Sequence, residues 1–123
     1  MGLEALDKAL AVAEALDKRG GLDIQVLDMQ QVMTICDYFV ICHGRSKVHC
    51  QALAEAVEEH MDGLAVYPLH REGVRDATWI ILDYLHVVVH IFGEEAREFY
   101  DLRRLWGDAA EVPLPGAEPA EHD

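Results

Sequence analysis

Trp79-Ile80-Ile81-Leu82-Asp83-Tyr84-Leu85-His86-Val87-Val88-Val89-His90-Ile91-Phe92 is the longest apolar run of the chain, and its reading decides the fold. Its residues are largely β-branched and aromatic, which suits a pleated strand. The run is too long for one strand of ordinary length and carries charges, so it reads as a hairpin folding near Leu85-His86. That fold sets Tyr84 opposite Val87, Asp83 opposite Val88, Leu82 opposite Val89, Ile81 opposite His90 and Ile80 opposite Ile91. Alternation then sorts the side chains onto two faces. Ile80, Leu82, Tyr84, Val87, Val89 and Ile91 make a nearly aliphatic face fit for a core. Trp79, Ile81, Asp83, Val88, His90 and Phe92 make a mixed face, in which aromatics sit beside a carboxylate and an imidazole. That second face is the candidate contact surface. A one-residue slip would scramble the pairs. Leu85 and His86 are poor residues for a primed two-residue turn, so a wider loop competes with this register.

Outward from the hairpin, the rest of the chain falls into short elements. Residues 2–19 place Leu3, Leu6, Leu10, Ala13 and Leu16 at helical spacing, with Gly20-Gly21 as the stop. Residues 22–28 alternate as a first strand. Tyr38-Phe39-Val40-Ile41-Cys42 is a continuous apolar run, the pattern of a strand buried on both faces. Ser46 is a good cap for a helix with Cys50, Leu53, Ala54, Val57 and Met61 as its apolar stripe, ending at Gly63. Residues 65–70 read as a third strand, pushed towards an edge or bulge by Pro68. Residues 94–100 read as a short helix. Residues 1–112 therefore form one α/β domain: a mixed sheet of roughly five strands with flanking helices and at least one parallel pair. Residues 113–123 are rich in proline and acid, hold no Lys or Arg, and are expected to be a disordered tail.

The chain has 123 residues and a net charge of −13, which argues against binding bare nucleic acid, because neutralising phosphates takes clustered Lys and Arg. No apolar run reaches the roughly 20 residues of a membrane span. The acidic, helical start does not resemble a signal peptide. Cys36, Cys42 and Cys50 form no CxxC pair and read as reduced thiols of a cytosolic protein, buried as small hydrophobes. Arg71, Arg75, Arg103 and Arg104 each have acids nearby in sequence (Glu72 and Asp76, Asp101 and Asp108), so pairing within the chain is the expectation.

Three constellations are candidates for chemistry. Ile41-Cys42-His43-Gly44-Arg45-Ser46, at a strand-to-helix turn, has the look of a phosphate cradle. A metal-dependent transferase would also need paired carboxylates, and the only such triplet is Glu121-His122-Asp123 in the tail. Cys42, His43, His49 and Cys50 have the ligand types for zinc, but not the spacing. Asp83 and His90 share a face on which a carboxylate could orient an imidazole, yet no nucleophile is evident beside them. A capped turn, buried thiols and a structural histidine are the plainer readings.

Four motifs carry a resemblance. Asp37-Tyr38-Phe39-Val40-Ile41, Gly44-x-Ser46, the hairpin itself, and Arg97-Glu98-Phe99-Tyr100-Asp101-Leu102-Arg103-Arg104-Leu105-Trp106-Gly107-Asp108 together strongly resemble the ribosomal silencing factor (Iojap) family. The likeness runs from about residue 3 to Pro113. It implies a mixed α/β fold shaped like a nucleotidyltransferase, without transferase activity and without a cofactor. It implies a cytoplasmic protein that binds the large ribosomal subunit through ribosomal protein L-fourteen, blocks subunit joining and so represses translation under nutrient limitation. It admits a homodimer of the free protein. Trp79, Asp83 and His90, with Tyr84 and Tyr100, are the residues expected at the ribosomal contact. The competing reading is a nucleotidyltransferase-like or hydrolytic enzyme using the Gly44–Ser46 turn. One departure is Leu85-His86, where the family usually carries a Gly-Asp-like turn.

Overall fold

The computed structural model describes residues 4–94 and 109–114. The elements run α1 (Ala5–Lys18), β1 (Leu22–Asp28), β2 (Tyr38–Gly44), α2 (Lys47–Gly63), β3 (His70–Glu72), β4 (Trp79–Asp83), β5 (Val87–Gly93) and β6 (Ala110–Val112). The strands form one mixed sheet in the order β3-β4-β5-β2-β1-β6. β2 and β5 are parallel, and every other neighbouring pair is antiparallel.

The hairpin keeps the register drawn from alternation: Trp79 lies opposite Phe92, Ile81 opposite His90 and Asp83 opposite Val88. The wider loop does not form. Leu85 adopts φ 78, and the His86 N–H donates to the Tyr84 carbonyl at 3.0 Å. An i→i+2 bond around a residue of positive φ is a γ-turn, tight enough to reverse the chain without a primed β-turn. The Asp83 carboxylate accepts the Leu85 N–H at 2.8 Å and holds the strained residue in place.

Among the described residues, α1 and α2 pack on one face of the sheet. Ile80, Leu82, Tyr84, Val87, Val89 and Ile91 are at most 3% exposed and cluster with Val12 and Leu16 of α1 and Leu53, Val57 and Met61 of α2. β2 is buried along its whole length because it feeds both sides. Val40 and Cys42 join the helix-covered core, whereas Phe39 and Ile41 join a second, smaller cluster with Leu27, Met29, Cys36 and Phe92. All three cysteines are free and buried. Among the described residues, no helix is long and apolar enough to cross a membrane.

Two strands differ from expectation. The third strand spans His70–Glu72 instead of 65–70. The cause is the way α2 ends. The Val66 N–H reaches back to the Met61 carbonyl and the Ala65 N–H to the Asp62 carbonyl, both at 2.9 Å, with Ala65 at φ 61. This is a Schellman closure, and it turns the chain away before pairing can begin. Pairing starts only where the Leu69 N–H meets the Asp83 carbonyl at 2.7 Å. The sixth strand, β6, is three residues long and gives no alternation signal; it pairs with β1, Val112 opposite Val26. The helix expected at 94–100 and the expected disorder of the tail lie largely outside the described residues.

Because Ala65 occupies a left-handed position that glycine fills without strain, Ala65→Gly should stabilise the fold by roughly 0.5–1 kcal/mol. Urea denaturation checks this; an unchanged or lower midpoint would mean that the left-handed closure is not strained.

Candidate functional site

On the face away from the helices, β4 and β5 present an aromatic cluster. The Trp79 and Phe92 ring centroids are 5.0 Å apart, and Phe39 stands 4.5 Å from the His90 ring. Phe92 is fully buried and His90 is 5% exposed, while Trp79, Ile81, Asp83 and Val88 are half-buried. The mixed face is thus a surface with a closed aromatic interior, and it is less open than alternation alone implies. Phe39 belongs to it through the parallel β2. Alternation along Tyr38–Cys42 is the signal that could have placed it there.

The Trp79 indole donates Nε1–H to His90 Nδ1 at 3.1 Å. Indole nitrogen is a donor only, so His90 must be neutral with its proton on Nε2. Nε2 is buried with no hydrogen-bond partner among the described residues. Burial pushes the His90 pKa down from 6.5 to about 4. His90 therefore fixes the orientation of Trp79, and Asp83 is not its partner. The suggested Asp83–His90 acid–base pair does not form, since His90 Nδ1 is taken by Trp79 and Asp83 holds the turn.

This geometry makes stability depend on pH. The unfolded chain protonates His90 near pH 6.5, whereas the folded chain resists until about 4. Stability is complete above pH 7 and falls as pH drops from 6.5 towards 4, by about 3 kcal/mol at most. Gln at this position can still accept from Trp79 but does not titrate. Urea denaturation of the native chain and His90→Gln at pH 7.5 and pH 5 should show the native chain losing more stability between the two. Parallel losses would contradict the account.

Asp83 lies at the turn end of the face, bracketed by two exposed leucines, Leu69 and Leu85, whose backbone N–H groups both bond to Asp83. The residue paired directly opposite Asp83 is His70, and the sequence reading did not single out His70 or either leucine for this face. Tyr84 is not part of this surface. It lies on the helix-covered face, 3% exposed, and burial there raises its pKa. Tyr100 lies outside the described residues. The structure therefore brings together Trp79, Asp83 and His90, and separates Tyr84 from them.

The other constellations are engaged in holding the fold. His49 Nδ1 accepts the Arg45 N–H at 3.0 Å, its Nε2 bonds the Arg19 carbonyl at 2.9 Å, and its backbone N–H is capped by Ser46 Oγ at 3.1 Å. The N-terminus of α2 thus spends donors of the supposed cradle on its own side chains. Gly44 is needed because a Cβ there would stand 2.8 Å from Cys50 Sγ. Cys50 Sγ in turn faces the Phe92 carbonyl at 3.5 Å. Arg71 pairs within the chain, as its acidic surroundings imply, but through two bonds to Glu58 at 2.8 and 3.2 Å; the sequence-adjacent Glu72 pairs with His70. Arg103 and Arg104 lie outside the described residues.

Residues 3–123 match a family described as "Ribosomal silencing factor during starvation". The ribosomal silencing factor of Bacillus subtilis is 39% identical over 97 residues, which cover 79% of this chain and 82% of that protein. The homologue from Halalkalibacterium halodurans is 35% identical over 102 residues, covering 83% and 87%. A crystal structure of a protein from Chromobacterium violaceum superposes with a TM-score of 0.83 at 27% identity, covering 97% of this chain and 98% of that one.

Proposed function

The chain belongs to the ribosomal silencing factor family, and from that membership we propose a binding protein that acts by obstruction. It docks on the large ribosomal subunit through ribosomal protein L-fourteen, occupies the place where the small subunit would join, and lowers translation when nutrients run short. The face of β4 and β5 carrying Trp79, Asp83 and His90 is the docking surface, with Leu69 and Leu85 at its rim. Tyr100 is proposed as a further contact. Tyr84, buried on the other side, supports this face from the core. The action is cytoplasmic and non-enzymatic, and free copies can pair as homodimers.

The observation that carries this reading is the half-buried Trp79, held by His90 within an aromatic cluster at a protein surface. Oriented Trp is the residue type that dominates binding energy at interfaces. The half-buried Asp83 on the same face suits a basic protein surface, and the charge of −13 favours approach to one. The enzymatic alternative draws less support, since the Gly44–Ser46 turn spends its donors on its own cap. Sedimentation of the chain with purified large subunits at moderate salt tests the reading. Co-sedimentation is expected; a chain that stays in the supernatant would reject it.

A further inference from the structure

On the helix-covered side of the sheet, away from the Trp79 face, α1 leaves a groove of about 870 Å³ along β1. Leu10 of α1, Ile24 of β1 and Leu114 after β6 line it and are all half-buried. Asp7, Glu14 and Asp17 stand along its helical wall at positions i, i+7 and i+10; Asp23 of β1 also lines it, with its carboxylate 3.8 Å from His43 Nδ1. Spacings of seven and three residues keep the three helical acids on one flank, since a helix turns once in about 3.6 residues. All four acids are exposed, and among the described residues no Lys, Arg or His lines the groove. Glu14 also pairs with Lys18 at 3.5 Å, a solvent-exposed bond of little strength.

From this geometry we infer a second docking site, for a basic protein segment that carries apolar side chains between its lysines and arginines. The volume lies within the roughly 300–1,000 Å³ of sites that take in bulky groups. The apolar floor would receive the segment's aliphatic or aromatic side chains, and the carboxylates of the helical wall would meet its cations. Charge decides between occupants. A second copy of this chain brings a net charge of −13 against an acidic groove. Residues 115–123 hold Glu118, Glu121 and Asp123 with no Lys or Arg, so their charge does not complement the groove. A basic segment alone matches both the floor and the helical wall. This inference does not depend on ribosome binding, which uses the other face.

Fluorescence anisotropy of the full chain with a labelled amphipathic peptide of leucine and lysine, at physiological salt, tests it. Saturable one-to-one binding is expected. The triple variant Asp7→Asn, Glu14→Gln, Asp17→Asn should weaken it by about tenfold or more, while the matched variant Glu55→Gln, Glu59→Gln, Asp62→Asn on the exposed side of α2 should change it by less than about twofold. Leu10→Ser, which keeps every charge, should also weaken it. Equal losses in the two triple variants would reduce the effect to overall charge and overturn the inference. So would absence of saturation, or self-association that only the groove variant abolishes.

Discussion

Gly73→Ala is expected to lose roughly 2–5 kcal/mol of folding stability, enough to unfold much of the population of a marginal domain. Gly73 sits at φ +77, a conformation that costs an L-residue about 1–2 kcal/mol. A Cβ there would also overlap the Trp79 carbonyl oxygen and stand 3.1 Å from its carbon, and both atoms belong to the backbone at the start of β4. Neither can move without shifting the strand. Gly73 further closes its own loop by accepting the Ala77 N–H at 2.8 Å. Gly63 is the internal control: it lies in the last turn of α2 with nothing within 4 Å of an added Cβ. Gly63→Ala should be neutral or stabilising by up to about 1 kcal/mol. Urea denaturation of both variants checks the contrast, and equal midpoints would contradict the close approach of the loop to β4.

Trp79→Ala is expected to weaken binding to the large subunit by about 2 kcal/mol or more, roughly thirtyfold, if Trp79 anchors the contact as proposed. The substitution also removes the ring packed on Phe92 and leaves His90 Nδ1 without its donor, so some stability is lost as well. Trp79→Phe separates the two effects. It keeps an aromatic ring against Phe92 but not the N–H, and should recover most of the lost stability while binding stays impaired. Co-sedimentation read alongside melting temperature distinguishes them. A Trp79→Ala chain that unfolds outright would make Trp79 a core residue and reverse the assignment of the face.

The hairpin was legible because its information is local: alternation within one run of residues determines which side chains share a face, and the γ-turn at Leu85 preserves that count. The end of α1 at Gly20-Gly21 and the cap at Ser46 were legible for the same reason, since each needs only a particular residue type at a particular place. The third strand was misplaced because Ala65 takes a left-handed conformation that alanine does not advertise. β6 was missed because three residues carry no period. At the candidate site, periodicity placed Trp79, Asp83 and His90 together but said nothing of depth. His90 and Phe92 are buried partly because β2 brings Phe39 alongside, a neighbour set by a parallel crossover that no short window of sequence contains. Tyr84 already fell on the core side of the alternation; only the family resemblance had moved it to the contact.

Obstruction of subunit joining, the action proposed, is measured by a reconstituted joining assay. Purified large and small subunits are mixed under conditions that form whole ribosomes, with and without a saturating amount of the chain, and resolved on a gradient. The chain should stay with the large subunit while the whole-ribosome peak falls. Trp79→Phe, folded but impaired in binding, should restore the peak at the same concentration. A whole-ribosome peak that is undiminished while the chain is bound to the large subunit would contradict obstruction.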